Sequence, residues 1–170
     1  MSLLYASGLR RAEAVALELA DLDQVTCQLR VRRGKGRKPR PVSLPASALP
    51  ALQDWLEVRG NDPGPLFCAV LKNGRLVREP DGRLQGLSGS AAWAICQERG
   101  RKAGIQPPAP HDLRRTWTGD LLEAGVDLAT VQKMAGHASA STTGRYDRRD
   151  YTVQRKAASQ LHVPYVAPDD

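Results

Sequence analysis

The sequence is poor in the features that mark several common protein classes. Aromatic residues make up 5% of its 170 residues. No apolar run approaches the ~18 residues of a membrane-spanning helix, and no charged N-terminal region with a cleavage site indicates a signal peptide. The three cysteines, Cys27, Cys68 and Cys96, lie far apart and form no CxxC pair. We therefore expect neither a disulfide framework nor a zinc site, and the cysteine content suits a reducing cytoplasm.

Motifs of several enzyme classes are also missing. There is no GxSxG or cysteine-nucleophile motif, which argues against a serine or cysteine hydrolase. The glycine-rich stretch at residues 34–38 has the wrong spacing for a Walker A loop, and no Ser or Thr follows its lysine. His111, His137 and His162 are about 25 positions apart and share no HExxH spacing, so no metal site is expected.

Positive charge is what the chain has in excess. The formal net charge is +7, and seven of the eleven residues at positions 30–40 are Lys or Arg. Residues 24–26, 27–33 and 40–44 have the period-two pattern of three short antiparallel strands, the last two joined by the glycine-rich loop. A basic run is commonly a solvated surface, but a basic hairpin with a glycine tip is also suited to a phosphate backbone. Both interpretations stay open at this point.

Residues 111–146 join polar groups suited to phosphate chemistry to short helical patterns. His111 and Arg114 follow a proline-rich break and are three positions apart, so they are expected to project together from the first turn of a helix. A helix N-terminus favours anions through its free N–H groups and its dipole. An imidazole and a guanidinium at this position therefore predict a phosphate site.

A second helix is expected after Gly125, with Asp127 as its cap and Gly136 as its end. The apolar residues expected to form its buried face are Leu128, Val131 and Met134. His137 follows on the turn, and Tyr146 comes nine positions later in a run of small and hydroxyl residues. Near the N-terminus, Arg10 and Glu13 are three positions apart, and by themselves they indicate an ordinary surface ion contact.

Five short motifs occur in an order and spacing that resemble the tyrosine recombinases, also called the phage integrase family. The motifs are Ser7-Gly8-Leu9-Arg10 with Glu13, Gly34-Lys35-Gly36-Arg37, His111-Asp112-Leu113-Arg114-Arg115, Gly136-His137 and Arg145-Tyr146. Each is weak alone, but together they extend over nearly the whole chain. The resemblance implies a mainly α fold with a small three-stranded antiparallel sheet (α+β), the tyrosine recombinase catalytic-domain fold. It places that domain at residues 1–161 and leaves residues 162–170 as a tail.

The resemblance also implies cleavage and rejoining of DNA strands without ATP, a metal or another cofactor. Tyr146 would attack the scissile phosphate and form a 3′-phosphotyrosyl link, which releases a 5′-hydroxyl. A tyrosine with a pKa of about 10 is almost fully protonated at pH 7, so the attack needs a base, and His111 is the candidate.

Four further residues complete the implied catalytic set. Arg10 and Arg114 would hold the non-bridging phosphate oxygens, because an arginine stays charged and presents a planar fork of donors. Lys35 would protonate the leaving 5′-oxygen, although Lys38 on the same loop is an alternative. His137 would donate a hydrogen bond to the phosphate.

The remaining implied roles concern support and DNA binding. Glu13 would orient groups around Arg10 without taking part in the chemistry. Contacts to DNA outside the catalytic set are expected from Arg32, Arg33, Arg37, Lys38, Arg40 and Arg115.

The implied partner is double-stranded DNA, with a homotetramer on paired DNA sites and a monomer in isolation, in the bacterial cytoplasm at the nucleoid. Family members usually carry an N-terminal DNA-clamping domain, which we expect to be absent here, together with the start of the first helix. Two alternatives remain open: a non-catalytic DNA-binding module of the same fold, and a type IB topoisomerase-like activity.

Overall fold

The structure is a computed structural model that describes residues 1–32, 39–136, 143–144, 147, 155 and 158. In this part of the chain the α-helices include α1 (Ser2–Ser7), α2 (Arg11–Val15), α3 (Leu49–Arg59), α4 (Gly89–Lys102), α5 (Pro110–Glu123) and α6 (Leu128–Ala135). Three short strands, β1 (Leu22–Asp23), β2 (Gln28–Val31) and β3 (Arg40–Ser43), form one antiparallel sheet in the order β1-β2-β3. The predicted fold class is confirmed.

The sheet register decides which side chains face the core. Leu29 pairs with Val42, and Val31 pairs with Arg40. Leu29, Val31 and Val42 are buried. Paired residues in an antiparallel sheet project to the same face, and alternate residues of a strand share a face. Arg40 therefore lies on the inward face of the sheet, at the first residue of β3.

The first strand begins earlier than the sequence predicted. Residues 24–26 were expected to be a strand, but they form a turn, and β1 is the pair before them. The Asp23 carboxylate accepts hydrogen bonds from the backbone N–H groups of Val25 (2.9 Å) and Thr26 (3.0 Å). An aspartate that bonds its own downstream backbone favours a turn over a strand, and this explains why the prediction for residues 24–26 was wrong.

The core lies between the sheet and the helices around it. Helix α1 packs against α5, α2 against α4, and α5 against α6. The buried apolar residues of the main cluster include Leu3, Leu9, Leu17, Leu29, Leu52, Leu66 and Cys96. In the described part of the chain, no helix has the length and apolar character needed to cross a membrane.

Local sequence signals explain the limits of α5. Pro110 occupies its first turn, where the missing N–H costs no hydrogen bond. The Asp112 carboxylate accepts a hydrogen bond of 2.9 Å from the backbone N–H of Ala109, so an acidic side chain satisfies one of the unpaired N–H groups at the start of the helix. The helix ends before Gly125, whose φ is 89°. The predicted end of this helix at Gly125 is confirmed.

Helix α6 is capped as predicted, but its buried face is partly different. The Asp127 carboxylate accepts a bond of 2.9 Å from the backbone N–H of Thr130, and Gly136 ends the helix in the left-handed conformation. Val131 and Ala135 are fully buried, whereas Met134 is 40% exposed. The prediction that Met134 is buried was wrong, because the buried residues of α6 are four positions apart, at Val131 and Ala135, and Met134 lies outside that face.

The end of α1 brings the backbone close to a tryptophan. Gly8 is the C-cap of α1, with φ 57°, in the left-handed region that favours glycine. A Cβ built on Gly8 would lie 2.3 Å from Cε3 of Trp117, which is a buried residue of α5. The absence of a side chain at Gly8 is therefore what lets α1 pack against α5 and positions the segment that carries Arg10.

Gly8→Ala is expected to destabilise the protein by about 2–4 kcal/mol. The left-handed conformation costs alanine about 1 kcal/mol, and overpacking against Trp117 adds about 1–3 kcal/mol. The free energy of unfolding, measured in urea, checks this. Gly104→Ala is the matched control, because Gly104 has a similar φ of 67° with nothing within 4 Å of the added Cβ. If both variants lost the same free energy of unfolding, the result would contradict the close contact between Gly8 and Trp117.

Candidate active site

Arg10 begins the candidate site at the N-terminus of α2. Its guanidinium donates to Glu13 at 2.9 Å and to the carbonyl of Gly136 at 3.3 Å. The backbone N–H of Arg10 also donates to the Glu13 carboxylate at 2.9 Å, which closes the first turn of α2. The Arg10 side chain remains 36% exposed, so Glu13 and the Gly136 carbonyl fix this cation while part of it faces solvent. The pair is thus more than the surface ion contact that its spacing alone indicated.

Glu13 holds a second arginine. Both of its carboxylate oxygens accept hydrogen bonds of 3.0 Å from Arg40, and its side chain is only 3% exposed. Burial by itself would raise the pKa of Glu13, but the bonds from Arg40 and from the Arg10 backbone, with the charges of both arginines, lower the pKa to about 2. Glu13 is therefore a fixed anion between two guanidinium groups, one of which belongs to Arg10.

The Glu13 ion pairs are expected to make stability fall in acid. A depressed folded-state pKa stabilises the fold above the unfolded value of about 4.5, and this contribution is lost as the pH falls through about 2. The difference corresponds to about 3 kcal/mol. The free energy of unfolding should therefore fall between pH 5 and pH 2 more steeply in the parent than in Glu13→Gln.

Urea titrations of both proteins across this range measure the effect. Glu57→Gln, at an exposed carboxylate of α3, controls for the loss of one negative charge. If the stability difference between the parent and Glu13→Gln were the same at pH 5 and pH 2, the ion-pair explanation would be wrong.

Arg114 and His111 lie one turn apart on α5 but differ in exposure. His111 is exposed, whereas Arg114 is 2% exposed. The Arg114 guanidinium donates to the carbonyl of Gly8 and, at 2.7 Å, to the carbonyl of Ala135. Its side chain therefore turns inward and joins the end of α1 to the end of α6, while His111 projects from the first turn.

Three guanidinium groups donate hydrogen bonds to the C-terminus of α6. Three consecutive carbonyls accept one arginine each: Met134 from Arg40 (3.3 Å), Ala135 from Arg114 (2.7 Å) and Gly136 from Arg10 (3.3 Å). The last carbonyls of a helix have no partner within the helix and carry the negative end of its dipole, so they attract cations. Positions that are far apart in the sequence thus form one positively charged cluster.

The other predicted site residues fall into two groups. Arg32 donates to Asp21 and, at 2.9 Å, to Glu18, and Arg115 lies 3.9 Å from Asp112 with 57% of its side chain exposed. The remaining residues lie outside the part of the chain that the structure describes. These are Arg33, Lys35, Arg37, Lys38, His137 and Tyr146.

Sequence reasoning missed the inward position of Arg40, which it placed among the DNA contacts. Two signals could have found the ion pair. Arg40 precedes Val42 and Leu44 at a spacing of two, so it shares the apolar face of its strand. Glu13 lies between Leu9 and Leu17 at a spacing of four, and both leucines are buried. A charged side chain on a buried face needs a partner of opposite charge, so the positions of Arg40 and Glu13 each predict an ion pair.

No metal site is found in the described residues, where no group of three or more His, Cys, Asp or Glu side chains is placed to hold an ion. The electrostatics of the cluster point instead to an anion. Arg10 is partly exposed and is held by a carboxylate and a carbonyl, and the buried Arg114 donates to the neighbouring carbonyl. Guanidinium groups are suited to the oxygens of a phosphate group.

Comparison with known proteins decides the family. Residues 1–152 match the phage integrase family. The chain belongs to this family. Its relatives in the family include the tyrosine recombinase XerC of Haemophilus ducreyi, which is 40% identical over 163 residues, 95% of this chain and 50% of the relative. The tyrosine recombinase XerA of Pyrococcus furiosus is 36% identical over 146 residues, 86% of this chain and 48% of the relative.

Solved structures of the family have the same fold. The crystal structure of XerA recombinase superposes with a TM-score of 0.73 at 30% identity, covering 96% of this chain and 56% of that one. XerH site-specific recombinase bound to palindromic difH substrate gives a TM-score of 0.68 at 25% identity, with 93% of this chain and 43% of that one covered. The chain spans about half the length of the curated relatives it matches. It has the fold of a tyrosine recombinase catalytic domain, as the five motifs predicted.

Proposed function

We propose that residues 1–161 form the catalytic domain of a site-specific recombinase, which cleaves and rejoins DNA strands through a covalent bond to Tyr146. Membership of the phage integrase family supports the proposal, as do relatives named tyrosine recombinases. The observation that carries it is the convergence of Arg10 and Arg114 on consecutive carbonyls. Phosphoryl transfer without a metal needs other positive charge at the phosphate, and the convergence supports Arg10 and Arg114 as its source.

In the proposed reaction the Tyr146 oxygen attacks the scissile phosphorus and its proton passes to His111. The bond from phosphorus to the 5′-oxygen breaks, and that oxygen takes a proton from Lys35. The resulting 3′-phosphotyrosyl bond replaces the phosphodiester bond, so a 5′-hydroxyl can reverse the steps without a cofactor. His111, exposed in the first turn of α5, is accessible to a substrate above this helix end.

Arg10 and Arg114 would bind the two non-bridging oxygens as negative charge develops on them, and His137 would add a hydrogen bond. The proposed partner is double-stranded DNA, with four chains on paired sites and a monomer without DNA. A recombinase of this fold solved on its difH substrate supports DNA as the partner. The net charge of +7 favours the same partner.

A covalent trapping experiment tests the proposal. The chain is incubated with sheared DNA from the organism that encodes it and then denatured, and protein with DNA attached is isolated. We expect an alkali-stable adduct, linked in the peptide that contains Tyr146, and one recurring sequence at the trapped 3′ ends. Sequencing those ends supplies the DNA site.

Other outcomes separate the alternatives. Tight DNA binding without any adduct would favour the non-catalytic DNA-binding module. Adducts at ends with no common sequence, together with relaxation of supercoiled plasmid, would favour a type IB topoisomerase-like activity. Either result would overturn site-specific recombination.

A further inference from the structure

Arg40 combines a basic side chain with an inward position. It lies opposite Val31, which is buried, on the face of the sheet that turns to the core. Its side chain is 13% exposed. The sheet register therefore points the Arg40 guanidinium away from the position that the basic hairpin suggested.

Among the described residues, the side-chain hydrogen bonds of Arg40 all join it to the candidate site. Nη1 and Nη2 donate to the two oxygens of Glu13 at 3.0 Å each, and Nε donates to the carbonyl of Met134 at 3.3 Å. The guanidinium also lies against Gly136, where an added Cβ would be 3.2 Å from its Cζ. These contacts use the planar fork of arginine, because the two donors to Glu13 and the donor to Met134 lie in one plane.

The contacts of Arg40 connect the segments that carry the proposed catalytic residues. Glu13 is shared with Arg10. Met134 and Gly136 flank the residue whose carbonyl holds Arg114, and His137 follows them in the sequence. Arg40 itself is the first residue of β3, five positions after Lys35. One side chain thus links α2, α6 and the strand that follows the basic loop.

We propose that Arg40 is a positioning residue of the active site, which fixes Glu13 and the end of α6 so that Arg10 and Arg114 meet the phosphate together. This inference rests on the proposed function. Arg40 does not touch DNA in this proposal. Its effect is on the geometry of the two phosphate-binding arginines, where a displacement of about 1 Å is sufficient to slow a reaction about a hundredfold.

The test separates DNA binding from cleavage. Arg40→Ala and Arg40→Lys are compared with the parent and with Arg83→Ala, a control at an arginine that is 81% exposed and pairs with Asp81. The dissociation constant for a duplex with the trapped site is measured across a range of salt concentrations. The rate of adduct formation is then measured at saturating DNA, below the unfolding midpoint of every variant.

For Arg40→Ala we expect a dissociation constant within about twofold of the parent, an unchanged salt slope, and an adduct rate lowered about a hundredfold. Arg40→Lys should also fall well below the parent rate, because an ammonium cannot bridge both oxygens of Glu13 and reach Met134. Where Arg40→Ala does not fold, Arg40→Lys, which keeps the charge and most of the stem, gives the answer alone. Arg83→Ala should match the parent.

Three results would overturn the inference. Weaker binding, with a salt slope reduced by about one and a parental rate at saturation, would make Arg40 a phosphate contact. A parental rate in Arg40→Lys would mean that positive charge alone is sufficient. Lower stability with a parental rate in the folded variants would make Arg40 merely structural. A parent that forms no adduct is a different result, because it removes the proposed function itself.

Discussion

Tyr146→Phe is expected to abolish the covalent protein–DNA adduct. Phenylalanine lacks the oxygen that forms the bond to phosphorus, and no other group in the proposed reaction replaces it. Removing a catalytic nucleophile costs up to about a millionfold in rate, so the adduct should fall below detection. The ring is kept, so DNA binding and the free energy of unfolding should stay close to the parent values. Adduct yield after denaturation, dissociation constant and urea midpoint are the three measurements.

Tyr5→Phe is a control for this experiment. The Tyr5 hydroxyl donates to Asp120 at 2.7 Å, and this bond to a carboxylate raises the pKa of Tyr5, with smaller contributions from burial and from the Asp120 charge. A raised pKa disfavours the nucleophilic phenolate, so Tyr5 is a poor nucleophile and its variant should form adducts normally. Adducts that persist in Tyr146→Phe would mean that another residue is the nucleophile.

Arg114→Ala is expected to lower the rate of adduct formation about a hundredfold to a thousandfold at saturating DNA. The loss of one preorganised donor to developing phosphate charge raises the barrier by about 3–4 kcal/mol. The same change should destabilise the fold by about 3 kcal/mol, because the buried carbonyls of Gly8 and Ala135 lose their donor. Rates are therefore measured at a temperature at which the variant is folded, with the urea midpoint as the check.

Two further variants make the Arg114 result specific. Arg115→Ala, next in the chain and 57% exposed, should change the free energy of unfolding by less than about 0.5 kcal/mol. Arg114→Lys keeps the charge but lacks the fork that reaches two carbonyls, so it should recover only part of the rate. A folded Arg114→Ala protein that cleaves at the parent rate would remove Arg114 from the catalytic set.

The parts of the fold that the sequence predicted correctly are those encoded by neighbouring residues. Asp127 caps α6 through a bond three positions away, and Gly125 and Gly136 end their helices in the left-handed conformation. The period-two pattern likewise predicted the strands β2 and β3. The prediction of a strand at residues 24–26 was wrong, because the Asp23 side chain bonds the backbone there and favours a turn over the strand that the period-two pattern indicated.

The arrangement of the candidate site depended on which distant groups pair with one another, and local patterns do not encode that choice. Spacing suggested that Arg10 and Glu13 are a pair, but it did not reveal that Arg40 completes it from a position 27 residues away. The partners of Arg114 are backbone carbonyls, which every residue has, so the sequence carries no mark of them. Only the packing of α1, α5 and α6 brings these groups together.

The cluster at the end of α6 also has a definite charge. Three guanidinium groups and the ionised Glu13 leave a net charge of +2. A phosphodiester carries one negative charge, and attack by a tyrosinate gives the pentacoordinate species a second. In the proposed reaction the charge of this cluster is therefore larger than that of the bound phosphodiester and equal in size to that of the pentacoordinate species. Charge matching of this kind stabilises the transition state more than the bound substrate, which is the condition for accelerating the chemical step.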